Sequence, residues 1–312
     1  MPVIVNRPGP WTHRNLTAGG TQFHAALAGP EEPPSSPGTG ALTAPGSAEP
    51  LILLVHGFPE CWWTWRHVIE PLAEAGHRVA AADLRGFGGS DRPPSGYDLV
   101  TLASDLAAVV HALGHERAIV VGAGLGGQVA WALANREPTM TAAIVPVGAP
   151  HPLALRSLRG RIVSGAALQY MWFKTPLLPE RSLRTTSGVD RLLRSWAGPR
   201  TRQAAAEPAG YYAALMARPG AARSALETVR RTVLSREEIM CLSAPAEVPV
   251  MSVQGEVDPV QPAQAYARDV HHVAEHLRQV TVRGVGHFPH EEAPEQFVDA
   301  LLPFLAEISQ KR

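Results

Sequence analysis

Two residues able to move a proton stand at matching places in this chain. Asp258 follows the apolar run 249–254, and His287 follows Leu277–Val282. A carboxylate and an imidazole carried at neighbouring strand ends can pair. The acid then orients the ring and stabilises its protonated form, leaving the far ring nitrogen to act as a base. A strand-to-helix turn, Gly122-Ala123-Gly124-Leu125-Gly126-Gly127, stands earlier in the chain, but no Ser, Cys, Thr or Asp occurs between Ala118 and Glu137. Moving the turn by one residue brings only Ala123 or Leu125 to its tip, so a covalent route lacks its first reactant.

Other segments can support chemistry without attacking. His56-Gly57-Phe58-Pro59-Glu60 follows the run LILLV, where a Gly-aromatic-Pro turn can aim the Phe58 N–H into a pocket as an oxyanion donor. The glycine-rich stretch from Asp83 to Asp91 lacks the Lys-Ser/Thr pair and the immediate helix of a phosphate cradle, so Asp83 and Arg85 are expected to fix a loop. His272 and His276 have the spacing of two ligands on one helix, but no third ligand is evident. They are expected on an exposed helix face, and no metal is expected.

Apolar β-type runs alternating with helical stretches predict a mostly parallel sheet flanked by helices. Strands are expected at Thr21–Ala28, Leu51–Val55, 78–82, 118–121, 142–147, 249–254 and Leu277–Val282. Helices are expected near 63–75, 101–113, 126–136, 262–273 and 294–307. Loops at the C-terminal ends of parallel strands are where such sheets place their sites, and each segment named above falls at one. Residues 29–50, rich in Pro, Gly, Ser and Ala, predict a flexible loop.

The alternation stops at 152–231, a stretch rich in Arg, Leu, Ala and aromatics that reads as an inserted helical cap. The core is then 1–151 with 232–312. The cap holds 14 of the 28 basic residues and only four of the 28 acidic ones, although the chain as a whole is neutral. A solvated Arg-rich lid accounts for this asymmetry; the other reading is attraction to an anionic ligand or a membrane surface. Overall neutrality gives no reason to expect nucleic-acid binding. No apolar run approaches the roughly 20 residues that span a bilayer. Two cysteines without metal spacing, and no visible leader, predict a cytoplasmic protein.

Taken together, HGFPE with Trp62, Trp65 and Arg66 after it, DLRGFGGSDRP, and GVGHFPHEEAPEQF resemble the epoxide hydrolases of the α/β-hydrolase superfamily. The order turn, Asp258, His287 is that superfamily's order of nucleophile, acid and histidine. The resemblance extends from about Trp11 to Leu305. It implies an α/β-hydrolase fold with His287 as base, Asp258 as its partner, Phe58 and Leu125 as oxyanion donors, and Gly124 at the nucleophile position. It also implies lid tyrosines that hold an epoxide oxygen. Gln169 aligns with one, Tyr170 is a place away, and Val229 stands at the other. Trp62 and Trp172, with Gln169 and Tyr170, complete the expected pocket for a small apolar molecule. No cofactor is implied, and the oligomeric state is left open. Three functions fit: hydrolysis by dyad-activated water, ligand binding without turnover, and a lyase or proton-abstraction reaction driven by the dyad.

Overall fold

The computed structural model describes residues 4–30, 49–158, 165–231 and 233–310, without the side chains of 156–158 and 165–167. Eight strands form one sheet: β1 (Thr12–Ala18), β2 (Thr21–Ala28), β3 (Leu51–Val55), β4 (Val79–Ala82), β5 (Ala118–Ala123), β6 (Thr141–Val147), β7 (Val250–Gly255) and β8 (Leu277–Val282). Their order across the sheet is β1-β2-β4-β3-β5-β6-β7-β8. β1 and β2 run antiparallel, and β2 is antiparallel to β4; every pairing from β4 to β8 is parallel. β3 and β6 are buried along their whole length, as unbroken apolar strands in a doubly covered parallel sheet must be.

After β3 the chain steps to β4 on one side, then returns to β5 on the other. The C-terminal ends of β3 and β5 therefore flank a switch in winding direction, where a crevice opens in sheets of this kind. The paired ends Val55 and Gly122 bring the Gly57 and Gly124 turns together there.

β1 was not expected: THRNLTA is mostly polar, and the strand forms because all seven residues pair with β2 at the edge of the sheet. The helix expected near 262–273 is instead a single turn, Ala263–Tyr266, followed by the 3₁₀ segment Asp269–His272. The Gln279 side chain takes the Tyr266 carbonyl at 2.6 Å, and Asp269 is drawn inward by the His151 N–H and the Ser252 hydroxyl. His272 and His276 therefore do not share a helix face. His272 is half-buried, its ring stacked 3.8 Å from that of His151.

Between β6 and β7 the described chain is helical, forming the inserted cap, from Pro152–Leu158 through Ala221–Arg230. A further helix, Arg236–Leu242, returns to the core, where Glu238 accepts the Leu99 N–H and Asn135 bonds the Cys241 and Ala244 carbonyls. The loop expected at 29–50 lies almost wholly outside the described residues. Among the described residues no helix is long and apolar enough to cross a membrane.

Candidate active site

The helix Leu125–Arg136 begins directly after Gly124, whose φ of 49° and ψ of −109° lie where only glycine sits without strain. The turn is tight enough to exclude side chains nearby. A Cβ on Gly122 would stand 2.3 Å from the Gly126 carbonyl carbon, and one on Gly126 would stand 2.4 Å from the Val55 oxygen. Among the described residues, a Cβ on Gly124 would by contrast meet only His287 Nε2 at 3.6 Å and Gly57 Cα at 3.7 Å. The turn therefore points its missing side chain at the imidazole. Its own N–H is fixed to the Val147 carbonyl at 2.8 Å.

Asp258 and His287 leave the ends of β7 and β8, which are neighbours in the sheet. His287 Nδ1 lies 3.0 Å from Asp258 Oδ2, with both side chains almost fully buried. Asp258 Oδ1 accepts the Val260 and Gln261 N–H groups, which fixes the carboxylate. With Nδ1 donating to that carboxylate, Nε2 is the nitrogen turned toward Gly124. Burial alone would lower the His287 pKa. The attraction and hydrogen bond of Asp258, with Glu60 and Glu292 adding to them, outweigh burial and leave the pKa above the ordinary histidine value.

The two predicted oxyanion donors flank the turn. Phe58 follows Gly57, and Leu125 opens the helix. Neither N–H is donated to another group among the described residues. The helix N-terminus adds a positive dipole end at the same place. Arranged this way, the groups can take a proton from a water on Nε2 and stabilise negative charge on the molecule it attacks.

The other expected site residues divide. Trp196 stands edge-on to His287, ring centres 5.5 Å apart, and Phe58, Phe173 and Tyr170 pack around Trp196 and each other. Gln169 lies in this cluster and accepts the Trp196 indole N–H at 2.5 Å. Tyr170 stacks 6.3 Å from Trp196, and Trp172 leans on Phe173 at 5.5 Å. Trp62 is not brought to the dyad: it is fully buried among Trp11, His13, His24 and Trp63, with its indole N–H on the Val5 carbonyl. Asp83 fastens loops, accepting the Trp62 and Gly89 N–H groups and pairing with His24. Arg85 makes a two-pronged ion pair with Asp105.

Two residues that the sequence did not single out hold the site together. Glu292 accepts the N–H groups of Gly198 and Gly286 at 2.8 Å each and of Phe288 at 3.0 Å, together with the Thr201 hydroxyl. It joins the His287 loop to the cap. Glu60 accepts the Gly57 N–H at 3.0 Å and the Thr64 hydroxyl at 2.9 Å, so this carboxylate near the turn is already engaged. Neither residue carries a recognisable motif beyond lying in HGFPE or HFPHEE.

The family described as alpha/beta hydrolase fold matches residues 50–294. Epoxide hydrolase A of Mycobacterium tuberculosis (strain ATCC 25618 / H37Rv) is 30% identical over 295 residues, covering 82% of this chain and 90% of that protein. AB hydrolase superfamily protein YfhM of Bacillus subtilis (strain 168) is 38% identical over 141 residues, 43% of this chain; the match spans about half of that relative, 49%. Among solved structures, that of Cfl2 wild-type from Burkholderia cenocepacia superposes with a TM-score of 0.79 at 26% identity, covering 98% of both chains. The chain belongs to the α/β-hydrolase fold family and, within it, resembles the epoxide hydrolases.

Proposed function

We propose that this protein hydrolyses a small, largely apolar epoxide or ester with water activated by the His287–Asp258 dyad, and without a covalent enzyme intermediate. The observation that carries this reading is the position of His287 Nε2, 3.6 Å from where a side chain on Gly124 would begin. A water in that space lies within reach of the base and beside the Phe58 and Leu125 N–H groups. General-base catalysis supplies about 10² to 10⁴-fold, and oxyanion donors add roughly 10² to 10³-fold. Together these suffice for an activated electrophile. The names of the epoxide hydrolases among its relatives support the substrate class.

Gly124 stands where the family's nucleophile would stand, and the cap is residues 152–231 over a core of 1–151 and 232–312. The cap supplies the apolar wall through Trp196, Phe173, Tyr170 and Trp172, with Gln169 orienting Trp196. Two cysteines without a disulfide, Cys61 and Cys241, support a cytoplasmic setting. Assay of a panel of epoxides and esters against the wild-type chain and His287→Ala tests the reading. Turnover that vanishes in His287→Ala supports it. Binding without turnover across the panel favours the second reading, a ligand-binding protein, which the empty position at Gly124 also fits.

A further inference from the structure

The gap at Gly124 is lined for negative charge. Among the described residues only His287 Nε2, at 3.6 Å, and Gly57 Cα, at 3.7 Å, come within 4 Å of a Cβ placed there, so a methyl-sized group fits in ordinary contact. The Leu125 N–H opens a helix of 12 residues whose dipole is positive at this end. The Phe58 N–H follows Gly57, whose Cα borders the gap. His287, with its side chain only 6% exposed, turns Nε2 into the gap, and that atom has no hydrogen-bond partner among the described residues.

The carboxylates around this imidazole are already occupied. Asp258 holds His287 Nδ1 and two N–H groups. Glu60 holds Gly57 and Thr64, and Glu292 holds three N–H groups and a hydroxyl. Beyond the gap lies the apolar wall of Trp196, Phe58 and Phe173.

We propose that the site binds a small monocarboxylate with an apolar tail, its carboxylate in the Gly124 gap against His287 and the Phe58 and Leu125 N–H groups, its tail against Trp196 and Phe173. The proposal rests on the hydrolytic reading of the same site and deepens it. Hydrolysis of an ester releases such an acid where the water attacked, so the acid product is also an inhibitor. A raised His287 pKa keeps the ring protonated, and so attractive to a carboxylate, over a wider pH range.

Phenylacetate, with phenylacetamide as its uncharged counterpart, is the probe, and binding to the full chain is measured by titration calorimetry at about pH 6, where His287 is charged. Phenylacetate is expected to bind about tenfold or more tightly than the amide, the difference a charge-assisted hydrogen bond makes. His287→Gln and Gly124→Asp are each expected to weaken phenylacetate about tenfold. Turn strain burdens Gly124→Asp and Gly124→Ala alike, so only variants shown to be folded are scored, and His287→Gln, which leaves the turn unchanged, keeps the test decisive.

Equal binding of acid and amide, or undiminished phenylacetate binding by folded Gly124 variants, overturns the proposal. Parallel ester assays separate the two readings. Hydrolysis that depends on His287 but is not inhibited by phenylacetate removes the carboxylate site alone. Phenylacetate binding without hydrolysis of any ester or epoxide removes the hydrolytic reading alone.

Discussion

The backbone N–H of His287 donates to the carbonyl of Trp196 at 2.9 Å, tying the loop that carries this imidazole to the cap. Glu292 doubles the tie, because the same carboxylate oxygen accepts Gly286 beside His287 and Gly198 beside Trp196. The cap is thus part of the scaffold that orients the imidazole. A charged acceptor holding four donors is costly to replace, since each buried donor left unmet costs about 1–3 kcal/mol.

Glu292→Gln should therefore lower stability by roughly 2–4 kcal/mol, because the amide turns an NH₂ toward donors. It should also reduce turnover by loosening the His287 loop. Thermal unfolding and steady-state kinetics check this together. A variant as stable and as active as the wild type would show that the clamp does not matter.

The pH profile follows from the dyad. His287 must be neutral to accept a proton, and its pKa lies above the ordinary value of about 6.5. Turnover should be low in acid and rise through an inflection above that value. Asp258→Asn removes the carboxylate that outweighs burial, so the inflection should move down while the rate falls by about 10² to 10⁴-fold. A profile that falls across the same range would assign His287 the role of an acid.

The turn makes a further prediction. Gly124→Asp places a carboxylate against Nε2 with only ordinary contacts at Cβ, but in a conformation that costs roughly 1–3 kcal/mol for a non-glycine residue. Its thermal midpoint should fall, and epoxide hydrolysis through a covalent ester should appear. A folded variant that forms no covalent ester would locate the deficit in the cap, where the resemblance implies a tyrosine and aligns Gln169.

Much of this was legible before the structure. Leu51–Val55 and Leu277–Val282 match their strands to the residue, the first as an unbroken apolar run and the second through its β-branched end Val280-Thr281-Val282. Asp258, His287 and the turn at Gly124 are marked by their places after strands. β1 was not legible, because its polar residues are held by edge pairing and not by burial. The broken segment after Pro262 was hidden because Gln279 and Ser252, remote in sequence, decide it. The roles of Glu292 and Trp196 depend on contacts across some 90 residues, which local pattern does not record. Trp62, beside the HGFPE motif, looked like pocket wall and packs among Trp11, His13 and His24 because its neighbours point inward with it.

Acid sensitivity has a separate origin. Burial, then the adjoining His272, pushes the His151 pKa down to about 2, whereas the unfolded chain takes that proton near pH 6.5. Neutral His151 thus supports the fold fully above about pH 6.5, and that support is lost as the pH falls toward 2. Asp269 opposes part of this loss, because burial raises its pKa to about 6 and it gains its proton in the folded state first. His151→Phe should flatten the decline of the thermal midpoint below about pH 6.5. An unchanged slope would place the acid sensitivity elsewhere.

The most direct test of the central claim is a single turnover of styrene oxide with enzyme in excess in ¹⁸O-labelled water. Direct attack by dyad-activated water predicts label in the diol at the first turnover, and no diol from His287→Ala. Unlabelled diol, whose oxygen comes from the protein, or an undiminished rate in His287→Ala, would contradict it.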